Sequence, residues 1–200
     1  MCFIHKFKLK LRKGDRMKNL LSGKEIKLTS INEEDVLTIQ EWHNDATFMR
    51  NYDTVSATPK NLEDVLEIIS DVRKCNTAYI FAVKKLGQQE IIGVTGFENI
   101  SWNNGTSLIY IGIGEEKHRG CGYGKEALKL TIEFGFQELN FHRIYLTVLE
   151  YNEPAIKLYE KLGFKREGVY REFIHRDGRR YDMYLYGILR AEWEDTLKER

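Results

Sequence analysis

Short apolar runs separated by polar or glycine-containing turns predict a series of β-strands along the chain. Such runs are typical of strands, and they occupy residues 26–29, 79–83, 91–97, 108–113, 144–149, 165–174 and 181–189. Asn103-Asn104-Gly105 is a strong hairpin signal between the third and fourth runs. Asp177-Gly178 predicts a turn between the last two runs.

Apolar positions three and four residues apart predict helices between several of these strands. Asn32 is a capping residue ahead of acidic side chains, and that helix is predicted to end near Trp42. A second helical pattern begins at Thr58-Pro59. Two further helical patterns cover residues 124–139 and 152–163. No internal repeat or low-complexity linker interrupts the pattern, so a single α/β domain is predicted.

The two ends of the chain differ from this pattern. Residues 1–20 are predicted to be a basic extension outside the core, residues 21–193 the domain, and residues 194–200 a charged tail. Alternating Lys and apolar residues in the extension also fit a short edge strand or an amphipathic arm that contacts a membrane surface or RNA.

Composition narrows the class of protein. The formal net charge of the 200 residues is +1, which argues against a general nucleic-acid binder. The scattered Cys2, Cys75 and Cys121 favour reduced thiols in a cytoplasmic protein. No apolar run reaches membrane-spanning length, and the histidines lack metal-ligand spacing. We therefore expect no membrane partner, no direct nucleic-acid partner and no metal.

A glycine-rich turn carries the main chemical signal. Arg119-Gly120-Cys121-Gly122-Tyr123-Gly124 lies between a predicted strand and a predicted helix, where backbone N–H groups bind phosphates. A dinucleotide-binding loop would need its third glycine one residue later, and a Walker loop would need Ser or Thr in place of Glu126. The turn alone fits either another phosphate ligand or an ordinary surface turn.

A second motif downstream gives the turn a family context. Asn152, Ala155, Leu158-Tyr159 and Leu162-Gly163-Phe164 form one capped helix. Together with the Arg-x-x-Gly-x-Gly turn, this helix resembles the GNAT superfamily of N-acetyltransferases over residues 26–193. Within this superfamily the chain resembles the ribosomal-protein and spermidine acetyltransferases, which share the Trp-x-Asn-Asp element that begins here at Trp42.

The resemblance implies a mixed, mostly antiparallel central sheet, splayed at the cofactor strand and flanked by helices. It implies acetyl-CoA as co-substrate, direct transfer to an amine in a ternary complex, and a homodimer. Tyr159 would protonate the leaving thiolate. The cofactor-binding residues it implies are Ile111, Gly112, Ile113, Arg119, Gly120, Cys121, Gly122, Tyr123, Gly124, Lys125, Asn152, Ala155 and Tyr159.

The acceptor side is less well defined. An amine with a pKa near that of lysine is neutral in only about one molecule in 2500 at pH 7, so a base or a water chain is expected. Glu98 is the candidate base, with Glu115 behind it. Carboxylates beside aromatic rings suit a cationic amine. The acceptor-binding candidates are Trp42, Asn44, Asp45 and Trp102, with Phe48, Tyr52 and Asp53 nearby.

Several functional alternatives stay open. The acceptor is a small amine such as a polyamine, or a protein N-terminus. Basic residues of the last predicted hairpin instead favour an acidic or nucleic-acid-associated substrate, such as a ribosomal protein; they are Arg171, Arg176, Arg179 and Arg180. A non-catalytic acetyl-CoA-binding sensor or assembly protein of the same fold is the alternative from another class.

Overall fold

Seven strands form one sheet in the computed structural model, which describes residues 19–198. The strands are β1 (Ile26–Thr29), β2 (Tyr79–Lys85), β3 (Ile91–Ser101), β4 (Thr106–Ile113), β5 (Arg143–Leu149), β6 (Lys165–Arg176) and β7 (Arg179–Leu189). Their order is β1-β2-β3-β4-β5-β7-β6. All seven predicted strands are present, and the β3–β4 hairpin turns at Gly105 with φ +61°.

The parallel pair in the middle of the sheet determines the shape of the protein. β4 and β5 pair only from Thr106–Arg143 to Leu108–Tyr145, whereas β4 continues to Ile113 and β5 to Leu149. All other neighbouring strands pair antiparallel. This confirms the mixed, mostly antiparallel sheet that splays at the cofactor strand.

Helices flank the sheet and form two main core clusters with it. They are α1 (Glu33–Asn44), α2 (Ala46–Tyr52), α3 (Leu62–Lys74), α4 (Tyr123–Gln137), α5 (Glu153–Lys161) and α6 (Arg190–Lys198). One cluster joins α1, α2 and α3 to β2 and β3 around the buried Val65. The other joins α4, α5 and α6 to the middle of the sheet, with Phe136 and Trp193 fully buried.

Capping explains where the early helices begin. Asn32 and Asp35 exchange hydrogen bonds in a capping box ahead of α1, and Asn61 and Asp64 do the same ahead of α3. The sequence-based start of α3 at Thr58-Pro59 was therefore too early. The prediction did not include α2, because seven residues are too few to show helical periodicity.

The predicted domain boundaries stay predictions, although parts of them fall on described residues. Residues 1–18 of the predicted extension lie outside the described residues. Helix α6 continues to Lys198 through most of the predicted tail. The Glu126 carboxylate accepts hydrogen bonds from the backbone N–H groups of Lys24 and Glu25, which fixes the entry to β1 against α4. Among residues 19–198, no helix is both long and apolar enough to span a bilayer.

Candidate active site

A cavity of about 410 Å³ opens where β4 and β5 diverge. Its walls come from the end of α2, from β3, β4 and β5, from the start of α5, and from Phe173 and Met183 of the last hairpin. Beyond their three paired positions, β4 and β5 no longer pair with each other, and the space between them forms the cavity. Both predicted catalytic residues, Tyr159 and Glu98, line this one cavity.

Tyr159 is buried on α5, with 7% of its surface exposed. Its ring packs edge-on against Phe164 at a centroid distance of 5.9 Å. Burial raises the pKa of the phenol to about 12. The hydroxyl therefore stays protonated across the physiological pH range and can donate a proton inside the cavity.

Glu98 lies at the last regularly paired position of β3, before the register shifts toward Ser101. Although the residue keeps exposed surface, burial of its carboxyl within the cavity wall raises its pKa. The negative charge of Asp53, which also lines the cavity, raises the pKa further. A carboxylate with a raised pKa holds a proton more readily, which suits a general base. Glu115, considered behind it, does not line the cavity and instead pairs with Lys117 at 2.7 Å.

The glycine turn forms an open cradle at the start of α4. Gly120 and Gly122 have φ of +73° and +90°, which side-chain-bearing residues rarely adopt. Gly122 is the N-cap of α4 and provides no side-chain hydrogen bond to the first turn. A Cβ atom at either position would meet no atom within 4 Å. The space beside the turn is therefore open at the start of α4, as binding of a pyrophosphate there requires.

Arg119 anchors this turn to the end of β4. Its Nε donates to the carbonyl of Ile113 at 3.1 Å, and a second guanidinium nitrogen donates to the carbonyl of Gly114. The guanidinium also lies over the ring of Phe48 at 5.9 Å. These contacts make Arg119 a positioning residue for the turn. Cys121 and Lys125 are exposed, as a role at the rim of a phosphate cradle requires.

β4, the predicted cofactor strand, has a close neighbour in α2. A Cβ at Gly112 would lie 2.9 Å from the rings of Phe48 and Tyr52, so only glycine fits there. Ile111 lines the cavity, and a Cβ at Gly124 would be 3.5 Å from Ile113. β4, α2 and the start of α4 therefore meet at one point.

Asn152 and Ala155, two of the predicted cofactor-binding residues, lie on the cavity wall at the start of α5. Asn152 Oδ1 accepts from the Ala155 backbone N–H at 3.3 Å, which caps the helix. Its Nδ2 donates to the carbonyl of Asn51 in α2 at 3.2 Å. Because both polar atoms are engaged, Asn152 contributes to the site mainly by fixing its wall.

The four predicted acceptor-binding residues do not line the cavity. Trp42 is buried with 5% exposure, and a Cβ on Gly114 would collide with its indole. Asn44 accepts from the backbone N–H of Lys60, and Asp45 caps α2.

Trp102 lies on the β3–β4 hairpin, where its indole donates to the carbonyl of Asn76. Tyr52 and Asp53, which the sequence analysis places near these four residues, do line the cavity. Tyr110 and Phe173 also line it, although the sequence did not predict them. Side chains alternate between the two faces of a strand, so Tyr110 lies on the same side of β4 as Leu108. This alternation is the sequence signal that could have identified Tyr110 as a cavity residue.

One group of side chains near the turn has the composition of a metal site. Glu90, Glu115 and His118 each bring a ligand atom within 4.8 Å of the others. Lys117 Nζ lies 2.7 Å from Glu115 and 3.8 Å from Glu90. The Lys117 ammonium group therefore already lies between the two carboxylates, and we assign no metal to this group.

Comparisons with known proteins agree with this geometry. The acetyltransferase (GNAT) domain matches residues 25–165. The SPbeta prophage-derived uncharacterized N-acetyltransferase YokL of Bacillus subtilis strain 168 is 30% identical over 173 residues, 86% of this chain and 94% of that protein. The ribosomal protein uS5 alanine N-acetyltransferase of Escherichia coli K12 is 28% identical over 137 residues, 68% of this chain and 70% of that protein.

A solved structure extends the comparison to three dimensions. The spermidine N-acetyltransferase of Vibrio cholerae, crystallised in complex with CoA and spermine, is similar with a TM-score of 0.78 and 25% identity. The similarity covers 84% of this chain and 98% of that one. The sequence-based prediction of family and fold is thus confirmed: this chain is an N-acetyltransferase of the GNAT family.

Proposed function

We propose that this enzyme transfers the acetyl group of acetyl-CoA to a primary amine by direct attack within a ternary complex. The observation that carries the proposal is the meeting of Tyr159 and Glu98 in one cavity, at the splay between β4 and β5. Use of acetyl-CoA is a property of the GNAT family, and CoA is bound in the related Vibrio cholerae structure.

The glycine turn suits the pyrophosphate of CoA. The backbone N–H groups at the start of α4 would bind it, with Arg119 holding the turn against β4. The pantetheine arm would then run into the splay, past Ile111 and Ala155. Unpaired backbone groups of β4 beyond Leu108 suit its amides and the thioester oxygen.

Two residues would move the protons of the reaction. The amine nitrogen forms a bond to the thioester carbon while the bond from that carbon to sulfur breaks. Glu98 would accept the proton that the amine loses, directly or through water. Tyr159 would give its proton to the departing sulfur. The carboxylates of Asp53 and Glu98 and the ring of Tyr52 suit a cationic amine at the cavity mouth.

The test is the release of free CoA thiol from acetyl-CoA, measured across spermidine, spermine, amino acids and short peptides. We expect release with at least one primary amine and none with a matched tertiary amine. Binding of CoA is measured in parallel as a rise in Tm. Tight binding of CoA with no thiol release for any amine would contradict the proposal and favour a non-catalytic sensor.

A further inference from the structure

The hairpin of β6 and β7 forms one rim of the cavity. Phe173 of β6 lines the cavity itself. Near the hairpin tip, Arg176 donates to the carbonyls of Thr54 and Val55, at 3.2 and 2.9 Å. These residues directly follow Asp53, so the tip of the hairpin and the end of α2 border the same opening.

This rim is apolar where β6 faces solvent. β6 is an edge strand of the sheet. Tyr170 and Phe173 are 48% and 51% exposed, and their rings lie 5.5 Å apart. The pairing of β6 with β7 is interrupted between Tyr170 and Ile174. Adjacent exposed aromatic rings beside a reaction cavity are typical of a contact surface for a partner chain.

The hairpin also carries a basic excess, with six Lys or Arg against four Asp or Glu residues between positions 165 and 189. Five arginines of the hairpin form no salt bridge with a carboxylate among residues 19–198: Arg166, Arg171, Arg176, Arg179 and Arg180. In contrast, Arg50 pairs with Asp177. The cavity behind this rim carries the carboxylates of Asp53 and Glu98. The hairpin at the opening therefore carries an excess of positive charge, whereas the cavity behind it carries negative charge.

This arrangement of charge discriminates between the two acceptor classes. A polyamine with one ammonium in the cavity would hold its other ammonium groups against the arginines. A polypeptide with acidic residues after its first positions has the complementary pattern, a cationic terminus followed by anions. An α-amino group, with a pKa near 7.8, is also neutral in about one molecule in seven at pH 7, so a weak base suffices.

We propose that the acceptor is the N-terminus of a polypeptide with acidic side chains close behind it, and that those side chains dock on the β6–β7 hairpin. This inference rests on the proposed acetyl transfer. The terminal amine would enter toward Glu98, and the following residues would pass over Tyr170 and Phe173 to reach the arginines.

The test compares three acceptors with the intact protein: spermidine and two hexapeptides. The peptides share their first two residues and carry either three Glu or three Lys at positions 3–5. We expect kcat/KM for the acidic peptide to exceed that for the basic peptide by about tenfold or more. The ratio should fall as salt is raised, because screening weakens interactions between exposed charges.

Variants locate the effect on the hairpin. Arg171→Glu combined with Arg179→Glu should remove or invert the preference for the acidic peptide. Lys74→Glu, a charge reversal at another exposed position, at the end of α3, should leave it unchanged. Measurement of Tm for all variants shows whether they fold.

Three outcomes would overturn the inference. Equal rates for the two peptides, or efficient turnover of spermidine alone, would overturn it and leave acetyl transfer intact. If Tyr170→Ser breaks a dimer while peptide preference persists, β6 is a subunit interface, which also overturns it. Absence of thiol release with all three acceptors and the wider amine panel would instead contradict the proposed function itself.

Discussion

The side-chain amide of Asn152 donates to the backbone carbonyl of Asn51 at 3.2 Å, which joins the start of α5 to α2 across the cavity. Tyr151 reinforces this connection, since its hydroxyl donates to the carbonyl of Arg50 at 2.5 Å. The helix that carries Tyr159 is therefore fixed to the helix that precedes Asp53. The relative position of the two sides of the active site depends on this bridge.

Replacing Asn152 with Ala should affect both stability and catalysis. Loss of the helix cap should lower the free energy of unfolding by about 1 kcal/mol. Loss of the bridge to α2 should also raise KM for the amine by several fold. Asn61→Ala is the control, because it removes the cap of α3, which has no residue in the cavity. Similar kinetics for the two variants would show that the bridge has no role in the reaction.

Tyr159→Phe should lower kcat by about a hundredfold or more if the phenol is the general acid. KM for acetyl-CoA should change little, because the ring and its packing against Phe164 remain. Tyr145→Phe on β5 is the matched control, since Tyr145 does not line the cavity. Steady-state thiol release measures both constants. An unchanged kcat for Tyr159→Phe would remove the acid role.

The charge of Asp53 should shift the pH dependence of the reaction. Because that charge contributes to the raised pKa of Glu98, Asp53→Asn should lower it. A base is active above its pKa, so activity of the wild type should fall as the pH drops through this raised value. In Asp53→Asn this acidic limb of kcat/KM should move to lower pH. Asparagine can still accept the N–H of Thr54, so the loop should persist. An unmoved limb would assign it to another group.

The same pKa shift has a consequence for stability. Folding raises the pKa of Glu98. As the pH rises, the Glu98 carboxyl therefore loses its proton at a lower pH in the unfolded chain than in the folded protein. Its contribution to stability therefore decreases as the pH rises through and above the ordinary carboxyl range. Glu98→Gln should then be at least as stable as the wild type at pH 8, while its activity is strongly reduced. A lower Tm of Glu98→Gln at pH 8 would contradict this expectation.

Gly122→Ala should separate backbone strain from cofactor binding. A side chain at φ +90° costs about 1–2 kcal/mol, although open space surrounds the position. Gly87→Ala is the matched control, because Gly87 has φ +76° and also faces open space, in the turn between β2 and β3. Both variants should lose stability. Only Gly122→Ala should weaken CoA binding in calorimetry, since it adds a methyl group to the proposed pyrophosphate cradle.

Lys84 and Asp35 form a buried ion pair at 2.7 Å, with each side chain 3% exposed. Lys84→Met should lower the free energy of unfolding by about 3–5 kcal/mol, because it leaves a buried carboxylate without its counter-ion. Lys157→Met removes the exposed pair with Glu153 and should cost less than about 1 kcal/mol. Urea unfolding measures both. Equal losses would show that Asp35 gains another partner in the variant.

Local features of the sequence predict much of this site. The turn glycines and the Asn152 cap depend on backbone conformation, which neighbouring residues determine. The role predicted for Tyr159 rests on the resemblance to the GNAT family, and its spacing to Asn152 only places both residues on one face of a helix. The acceptor residues were not predictable in this way. Trp42 is buried because it packs against Gly114, far away in the sequence, and no local pattern contains that contact.

The short parallel pairing of β4 and β5 also bears on solubility. Beyond Leu108 and Tyr145 the two strands present unpaired backbone groups to each other across the splay. On the outside of a sheet, such groups attract strands of other molecules and promote aggregation. Here β3 and β7 cover the outer sides of this pair. The protein thus keeps a free strand edge in its interior, within reach of a slender ligand and shielded from another protein's strand.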